Sequence, residues 1–416
     1  MESFNCVGEA TISNALNKPD ERTKIIHVAG TNGKGSICAY ISTVLHTCGY
    51  SVGRFNSPHL IEPRDSFNIN GQAVSQAAYE EAAEHVRELN ASCSLGATSF
   101  ECLVATAFYL FDKAQVAFVV LEVGLGGRED ATNAIQRPVM TIIASIGIDH
   151  AQILGNSLQA IASAKAGIMK PQCPVVIAPQ DQEAALETLV HHAKETGCPY
   201  VLVRPSEWVG DQLCQLQITP KQYTYPIRLY GDYQRMNSAT AVTALDWLAR
   251  LNLIRLTEEH VSAGMGNTRW RGRLDWITST EVPSLKAFQL DRILVDGAHN
   301  SPAAIALHNY VESLRRKKVI WIMGATVGKD VGDMLNTLVQ ADDTLLTVSF
   351  SQPQGMPWIQ SMDPFDMIRQ TDKEATGCLS LKQALEKAGS LCGQDDLVVL
   401  CGSLYLAADL YRLLAP

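Results

Sequence analysis

A doubly wound, mainly parallel α/β sheet followed by a second, smaller α/β unit is the fold class that this 416-residue sequence predicts. Two observations carry it. Short, nearly continuous apolar runs, IIHVA (25–29), VAFVVLEV (116–123), MTIIASI (140–146) and VVIAP (175–179), read as strands covered on both faces, since a half-wet strand would alternate. Between them lie longer stretches with helical spacing, such as AAYEEAAEHVRELN and SFECLVATAFYLF, so strand and helix take turns. Beyond the polar stretch STEVPSLKAFQ the alternation resumes with RILVDGAHN, VIWIMGAT, TLLTVSF and DLVVLCGSLY. A first domain over 1–273 and a Rossmann-like second domain over 274–416 follow.

Bulk properties narrow the partners. The chain is too long for one ordinary core, and 46% hydrophobic with 19% charged residues excludes a largely disordered protein. Net charge is -9 and no basic run extends beyond Arg315–Lys318, which argues against a nucleic-acid groove. No apolar run reaches membrane-spanning length. Acids at Glu2 and Glu9, with no arginine before Arg22, give no sign of a secretory or mitochondrial leader, so a cytoplasmic protein is expected. Eleven scattered cysteines without a C-x-x-C pair read as reduced thiols. A monomer acting on small molecules, with neither nucleic acid nor membrane as partner, is the expectation.

The first strand runs straight into a glycine-rich turn, GTNGKGS (30–36), and then into the apolar helix ICAYISTVL. Gly30, Gly33 and Gly35 allow the backbone to turn tightly and aim successive N–H groups at an anion. Lys34 adds a mobile positive charge, Ser36 a hydroxyl near a metal, and the helix its N-terminal dipole. The spacing is not G-x-x-x-x-G-K-[ST]: five residues before Gly33 stands Val28, and Gly35 separates Lys34 from Ser36. In open parallel sheets ligands gather outside the carboxyl ends of the strands. Glu122 ends the second apolar run and Asp149-His150 follow the third, so both fall on the same rim as the loop. A carboxylate there suits Mg²⁺, which takes hard oxygen donors.

GTNGKGS resembles the phosphate loop of the Mur ligase and folylpolyglutamate synthase superfamily, which activates a carboxylate with ATP and joins it to an amine. EVGLGGREDATN (122–133) is similar to a long signature of that family, with Glu129 at its variable position. The resemblance implies nucleotide contacts from Gly30, Thr31, Asn32, Gly33, Lys34, Gly35 and Ser36. GDYQRMN (231–237) and WRGR (270–273) match two further ATP elements, implying Asn237 and Arg273, with Arg271 as the alternative guanidinium. DGAHN (296–300) adds Asp296 for the nucleotide and His299 for catalysis and glutamate, and GSLY (402–405) adds Ser403 for glutamate. Metal ligands implied are Glu122, Ser57 of the SPHL loop element, His150 of SIGIDH, and Lys165 of IASAKAGIMK once carbamylated. Thr98, Phe100 and Glu101 of TSFE, with Asp130, Ala131 and Thr132, correspond to pterin contacts, although Thr98 equally suits a helix N-cap.

SFSQPQGMPWIQSMDP (349–364) and VGKD (327–330) look most like the fungal dihydrofolate synthetase branch. Membership there implies ATP-driven joining of L-glutamate to 7,8-dihydropteroate, with ATP, two Mg²⁺ and a monovalent cation as cofactors. The alternative is extension of the glutamyl tail of reduced folates. A regulatory nucleotide-binding module is disfavoured by the intact set Lys34, Glu122, His150 and Lys165.

Overall fold

The computed structural model describes residues 22–329 and 331–415, with Leu16 and Lys18; most of the amino-terminal stretch read for leaders, and Asp330 of VGKD, lie outside them. The chain forms two compact units. One takes the chain up to His59, then Arg64–Arg228 and Gln234–Arg269; the other takes Leu60–Pro63, Leu229–Tyr233 and the chain from Trp270.

The first unit is organised by an eight-stranded sheet. Its strands are β1 (Lys24–Ala29), β2 (Val52–Phe55), β3 (Phe67–Ile69), β4 (Gln72–Ala73), β5 (Phe118–Glu122), β6 (Met140–Ile143), β7 (Val175–Ile177) and β8 (Tyr200–Leu202). They lie in the order β4-β3-β2-β5-β1-β6-β7-β8. Every pairing from β2 to β8 is parallel, and only the β2-β3-β4 edge is antiparallel. One apolar cluster packs helices Gln76–Ser92 and Ser99–Lys113 against Ile25, Phe55, Val119 and Leu121. Another packs helices Leu158–Ala166 and Glu183–Glu195 against Ile143, Val175 and Ile177. Helix Lys34–Thr47 is buried continuously from Ser36 to Ser42 because helices Gln234–Arg250 and Glu258–Asn267 pack against it as well as the sheet.

The doubly wound, mainly parallel sheet is the architecture expected from the apolar runs. The strands are shorter than those runs: MTIIASI is strand only over Met140–Ile143, since Ser145 turns back to hold the glycine loop. A three-stranded antiparallel sheet, β9 (Glu207–Gly210), β10 (Leu213–Ile218) and β11 (Lys221–Pro226), had no counterpart in the sequence reading.

The second unit carries β12 (Asp275–Thr278), β13 (Arg292–Val295), β14 (Val319–Met323), β15 (Thr344–Val348), β16 (Ala375–Cys378) and β17 (Leu397–Cys401). Their order is β12-β13-β17-β14-β15-β16, parallel except for β12. Apolar clusters cover both faces, one around Leu285, Leu385 and Leu410, the other around Leu307, Leu335 and Trp321. Among the described residues no helix is long and apolar enough to cross a membrane, and no cysteine is in a disulfide.

Candidate active site

The glycine loop leaves the carboxyl end of β1, the strand flanked by β5 and β6. Gly33 caps helix Lys34–Thr47 with φ +88°, and a Cβ there would lie 2.3 Å from Asn237 Oδ1, so both backbone and space demand glycine. Asn237 stands on helix Gln234–Arg250, beside Gln234, whose Oε1 accepts from Asn237 Nδ2 at 3.2 Å and whose Nε2 donates to Ser36 Oγ at 3.4 Å. The loop is pinned on its other side: Thr31 N and Asn32 N donate to Ser145 O at 2.8 and 3.3 Å. Thr31 Oγ1 both donates to and accepts from the Gly147 backbone at 3.1 Å. Lys34 Nζ donates to Gly30 O at 3.0 Å and Thr31 O at 3.1 Å.

Lys165, near the end of helix Leu158–Ala166, reaches the same carbonyl, its Nζ donating to Gly30 O at 3.0 Å. It is 4% exposed, and burial first, then the positive Lys34, draws its ammonium down to about 7. Glu122 closes β5 in register with Val28 of β1, and Asn56 Nδ2 donates to its Oε2 at 2.7 Å. Arg54 on β2 donates to Ser42 Oγ at 3.2 Å and brings a positive charge within reach of Glu122. Ser57, next to Asn56, has a buried Oγ with no hydrogen-bond partner. His150 adopts φ +52°, is exposed, and stands with Nε2 3.8 Å from Asp149 Oδ2.

The segments expected to meet the pterin turn much of their polarity inward. Thr98 is an N-cap: its Oγ1 accepts from Glu101 N at 3.3 Å, and Glu101 Oε2 accepts from Thr98 N at 2.7 Å. Glu101 Oε1 is buried without a partner. Phe100 lies so close over Gly124 that a Cβ there would meet its ring at 2.4 Å, which joins the TSFE and EVGLGG segments. Asp130, Ala131 and Thr132 are all buried. Asp130 accepts from Leu125 N at 2.7 Å, Thr132 N at 3.0 Å and Thr132 Oγ1 at 2.6 Å. Burial raises its carboxyl above the ordinary range, opposed by those donors. Asp130 and Thr132 therefore shape the loop they sit in.

In the second unit, β13 and β17 are parallel neighbours, so DGAHN and GSLY leave adjacent strand ends. Asp296 accepts from Leu274 N and Ala298 N, each at 2.8 Å. Burial raises its carboxyl and the nearby Arg273 opposes the rise. Arg273 Nη1 donates to Gly272 O at 3.1 Å, and Gly272 O accepts from Gly297 N at 2.9 Å, which ties WRGR to DGAHN. His299 Nδ1 lies 3.0 Å from Gly297 O. Ser403 is buried and caps helix Leu404–Leu414, accepting from Tyr405 N at 3.1 Å.

A family profile described as the Mur ligase middle domain matches residues 28–245, and one described as the dihydrofolate synthetase C-terminal domain matches 283–413. The chain belongs to the dihydrofolate synthetase family of Mur ligases. Members of this synthetase family are ATP-dependent ligases that form C–N bonds. A probable dihydrofolate synthetase of Schizosaccharomyces pombe is 40% identical over 418 residues, covering 96% of this chain and 95% of that protein. The dihydrofolate synthetase of Saccharomyces cerevisiae is 33% identical, with the same coverage of 96% and 95%. A Mycobacterium tuberculosis folylpolyglutamate synthase complexed with ADP and AMPPCP superposes with a TM-score of 0.86 at 26% identity, covering 99% of this chain and 96% of that one. A bifunctional folylpolyglutamate synthase/dihydrofolate synthase with Mn, AMPPNP and L-glutamate bound gives 0.83 at 25%, covering 99% and 94%.

Among the described residues of this synthetase-family chain, no three His, Cys, Asp or Glu side chains converge as a metal cage. The donor set still fits Mg²⁺, which uses few protein ligands beside phosphate oxygens: the unpartnered Ser57 Oγ lies next to Asn56, which bonds Glu122. Asn56, Arg54 and Gln234 were missed from the sequence. All three lie inside segments that resemble the family, Gln234 in GDYQRMN and Arg54 and Asn56 in GRFNSPHLIEPRDSFNING (53–71), where only Ser57 and Asn237 were singled out.

Proposed function

We propose that the chain ligates L-glutamate to 7,8-dihydropteroate, consuming ATP and yielding 7,8-dihydrofolate, ADP and phosphate. The single observation that carries this reading is the meeting of Lys34 and Lys165 on the Gly30 carbonyl, at the strand end next to Glu122. A glycine loop with one lysine would suit any nucleotide site. A second, buried lysine drawn toward the neutral amine suits a site that needs an anion made from lysine and CO₂.

A carboxylate is a poor electrophile, so the benzoate oxygen of dihydropteroate first takes the γ-phosphoryl of ATP, releasing ADP and leaving an acyl phosphate. Loop N–H groups and Lys34 offset charge on the transferring group. Glu122, held by Asn56, together with Ser57, His150 and carbamylated Lys165, would hold the divalent metals. Such ions supply charge neutralisation across the phosphate oxygens. The amine of glutamate then attacks the acyl carbon, phosphate leaves, and a proton is lost to give the amide. TSFE and the 124–132 loop hold the pterin, while Arg273, Asp296, His299 and Ser403 of the second unit serve ATP and glutamate. Two Mg²⁺, a monovalent cation and a cytoplasmic monomer complete the reading.

The test is direct. Purified protein with ATP, Mg²⁺, labelled glutamate and dihydropteroate should form labelled dihydrofolate with one ADP per amide bond. ATP turnover without labelled product would overturn the assignment.

A further inference from the structure

His27 points off the middle of β1, three residues before the glycine loop, and is fully buried. Its Nε2 lies 2.8 Å from Thr132 Oγ1, and that hydroxyl lies 2.6 Å from Asp130 Oδ1. The Thr132 hydroxyl has one proton. Asp130 takes it as a carboxylate that also accepts the backbone N–H groups of Leu125 and Thr132, so Thr132 must receive its other hydrogen bond from His27. The imidazole is then the Nε2–H tautomer, and the atom left buried without a partner, Nδ1, is a bare lone pair rather than an orphaned N–H. Burial and the nearby Lys170 keep the ring neutral, its conjugate acid lowered to about 3.

We infer that His27 is a positioning residue for the acceptor: through Thr132 and Asp130 it registers the 124–132 loop against the strand that carries the phosphate loop. The chain runs His27 Nε2–H to Thr132 Oγ1, Thr132 O–H to Asp130 Oδ1, and Leu125 N–H to Asp130 Oδ2. Its far end holds the turn over which Phe100 lies. A slip of that turn would move the acceptor relative to the γ-phosphoryl while leaving the nucleotide loop, which is pinned by Ser145 and Gly147, where it is. The inference rests on the proposed use of this loop for the pterin-bearing acceptor.

The test has two arms. In the wild-type enzyme labelled with ¹⁵N-histidine, the signal lost in His27→Gln should be the protonated-Nε2 tautomer and stay unchanged from pH 5 to 8. An Nδ1–H tautomer, or titration in that range, would overturn the hydrogen-bond chain. Kinetically, His27→Leu should raise KM for dihydropteroate at least about tenfold with KM for ATP within about twofold. His27→Gln, which keeps an N–H at the Nε2 position, should return the acceptor KM to within about threefold of wild type. Equal acceptor KM in wild type and His27→Leu, or both KM values rising together, would overturn it. If His27→Leu does not fold, Thr132→Val cuts the same chain one link on and carries the same expectation. A wild type that ignores dihydropteroate would overturn the proposed function instead, and the ¹⁵N arm still decides the hydrogen-bond chain.

Discussion

Lys34 Nζ and Lys165 Nζ donate to one acceptor, the carbonyl oxygen of Gly30, each at 3.0 Å. Two ammonium groups that share one carbonyl lie close enough to oppose each other's charge. Lys34 begins its helix and is partly exposed, whereas Lys165 is buried, and burial together with the charge of Lys34 draws the Lys165 ammonium down to about 7. That asymmetry is what the proposed roles use, Lys34 as the cation for phosphate and Lys165 as the amine that takes up CO₂.

The first prediction concerns proton linkage. With a folded value of about 7 against an ordinary 10.5, Lys165 binds fewer protons folded than unfolded between those limits. Its contribution to stability therefore rises as pH rises from about 7 toward 10, by at most about 1.4 kcal/mol per unit, and is flat below 7. Urea unfolding of wild type and Lys165→Met at pH 7, 8 and 9 checks this: the difference between the two should change with that sign. Parallel curves would mean that Lys165 is an ordinary cation in the fold.

Carbamylation is the chemical counterpart. A neutral amine adds to CO₂ and loses a proton to give an anion, so a ¹³C carbamate signal should appear in ¹³CO₂-equilibrated enzyme above about pH 7 and be absent in Lys165→Ala. That variant should be inactive and partly rescued by acetate or formate. Full activity in Lys165→Ala would sink the role.

Removing the other cation should act on the phosphoryl step. Lys34→Ala is expected to fold normally and lose roughly 3 to 4 kcal/mol of transition-state stabilisation, about 10² to 10³ in kcat. Circular dichroism and steady-state assay together check it, and near-normal turnover would refute the loop assignment.

At the metal rim, Glu122→Gln keeps size and removes charge, so activity should fall about 10²-fold or more with only partial recovery at high Mg²⁺. Asn56→Ala, which strips the donor from Glu122 Oε2, should raise the Mg²⁺ concentration for half activity several-fold and spare most of kcat at saturation. An unchanged Mg²⁺ response in both variants would remove Glu122 from the metal site.

What could be read in the sequence was local. A strand running into GTNGKGS fixes its own turn through glycine conformations, and Glu122 ends an apolar run, so both were legible from a dozen residues each. The approach of Asn56 and Arg54 to Glu122 was not, because it arises only when the short strand VGRF pairs with β5 sixty-odd residues further along the chain. The approach of Lys165 to Gly30 is likewise a product of packing between a helix and a strand end. LCQLQI (213–218) went unread because its alternation of buried and more exposed positions belongs to an antiparallel sheet apart from the main parallel pattern.

The last prediction is acceptor choice. Dihydropteroate ends at its benzoate carboxylate, which must reach the γ-phosphoryl, whereas a folate bears one more residue before its reactive γ-carboxylate. Both acceptors present the same pterin. The segments proposed to hold it are tied down: Phe100 lies directly over Gly124, and Asp130 locks the 124–132 turn with three hydrogen bonds. A pterin held that firmly cannot shift along the site by the length of a glutamyl residue, so one carboxylate position is served at the expense of the other. Similarity over nearly the whole chain to two fungal dihydrofolate synthetases favours the shorter acceptor. Dihydropteroate should therefore exceed tetrahydrofolate by at least about a hundredfold in kcat/KM, roughly 2.7 kcal/mol. Side-by-side assays with labelled glutamate decide it, and extension of tetrahydrofolate as fast as conversion of dihydropteroate would move this chain to the polyglutamate-forming side of its family.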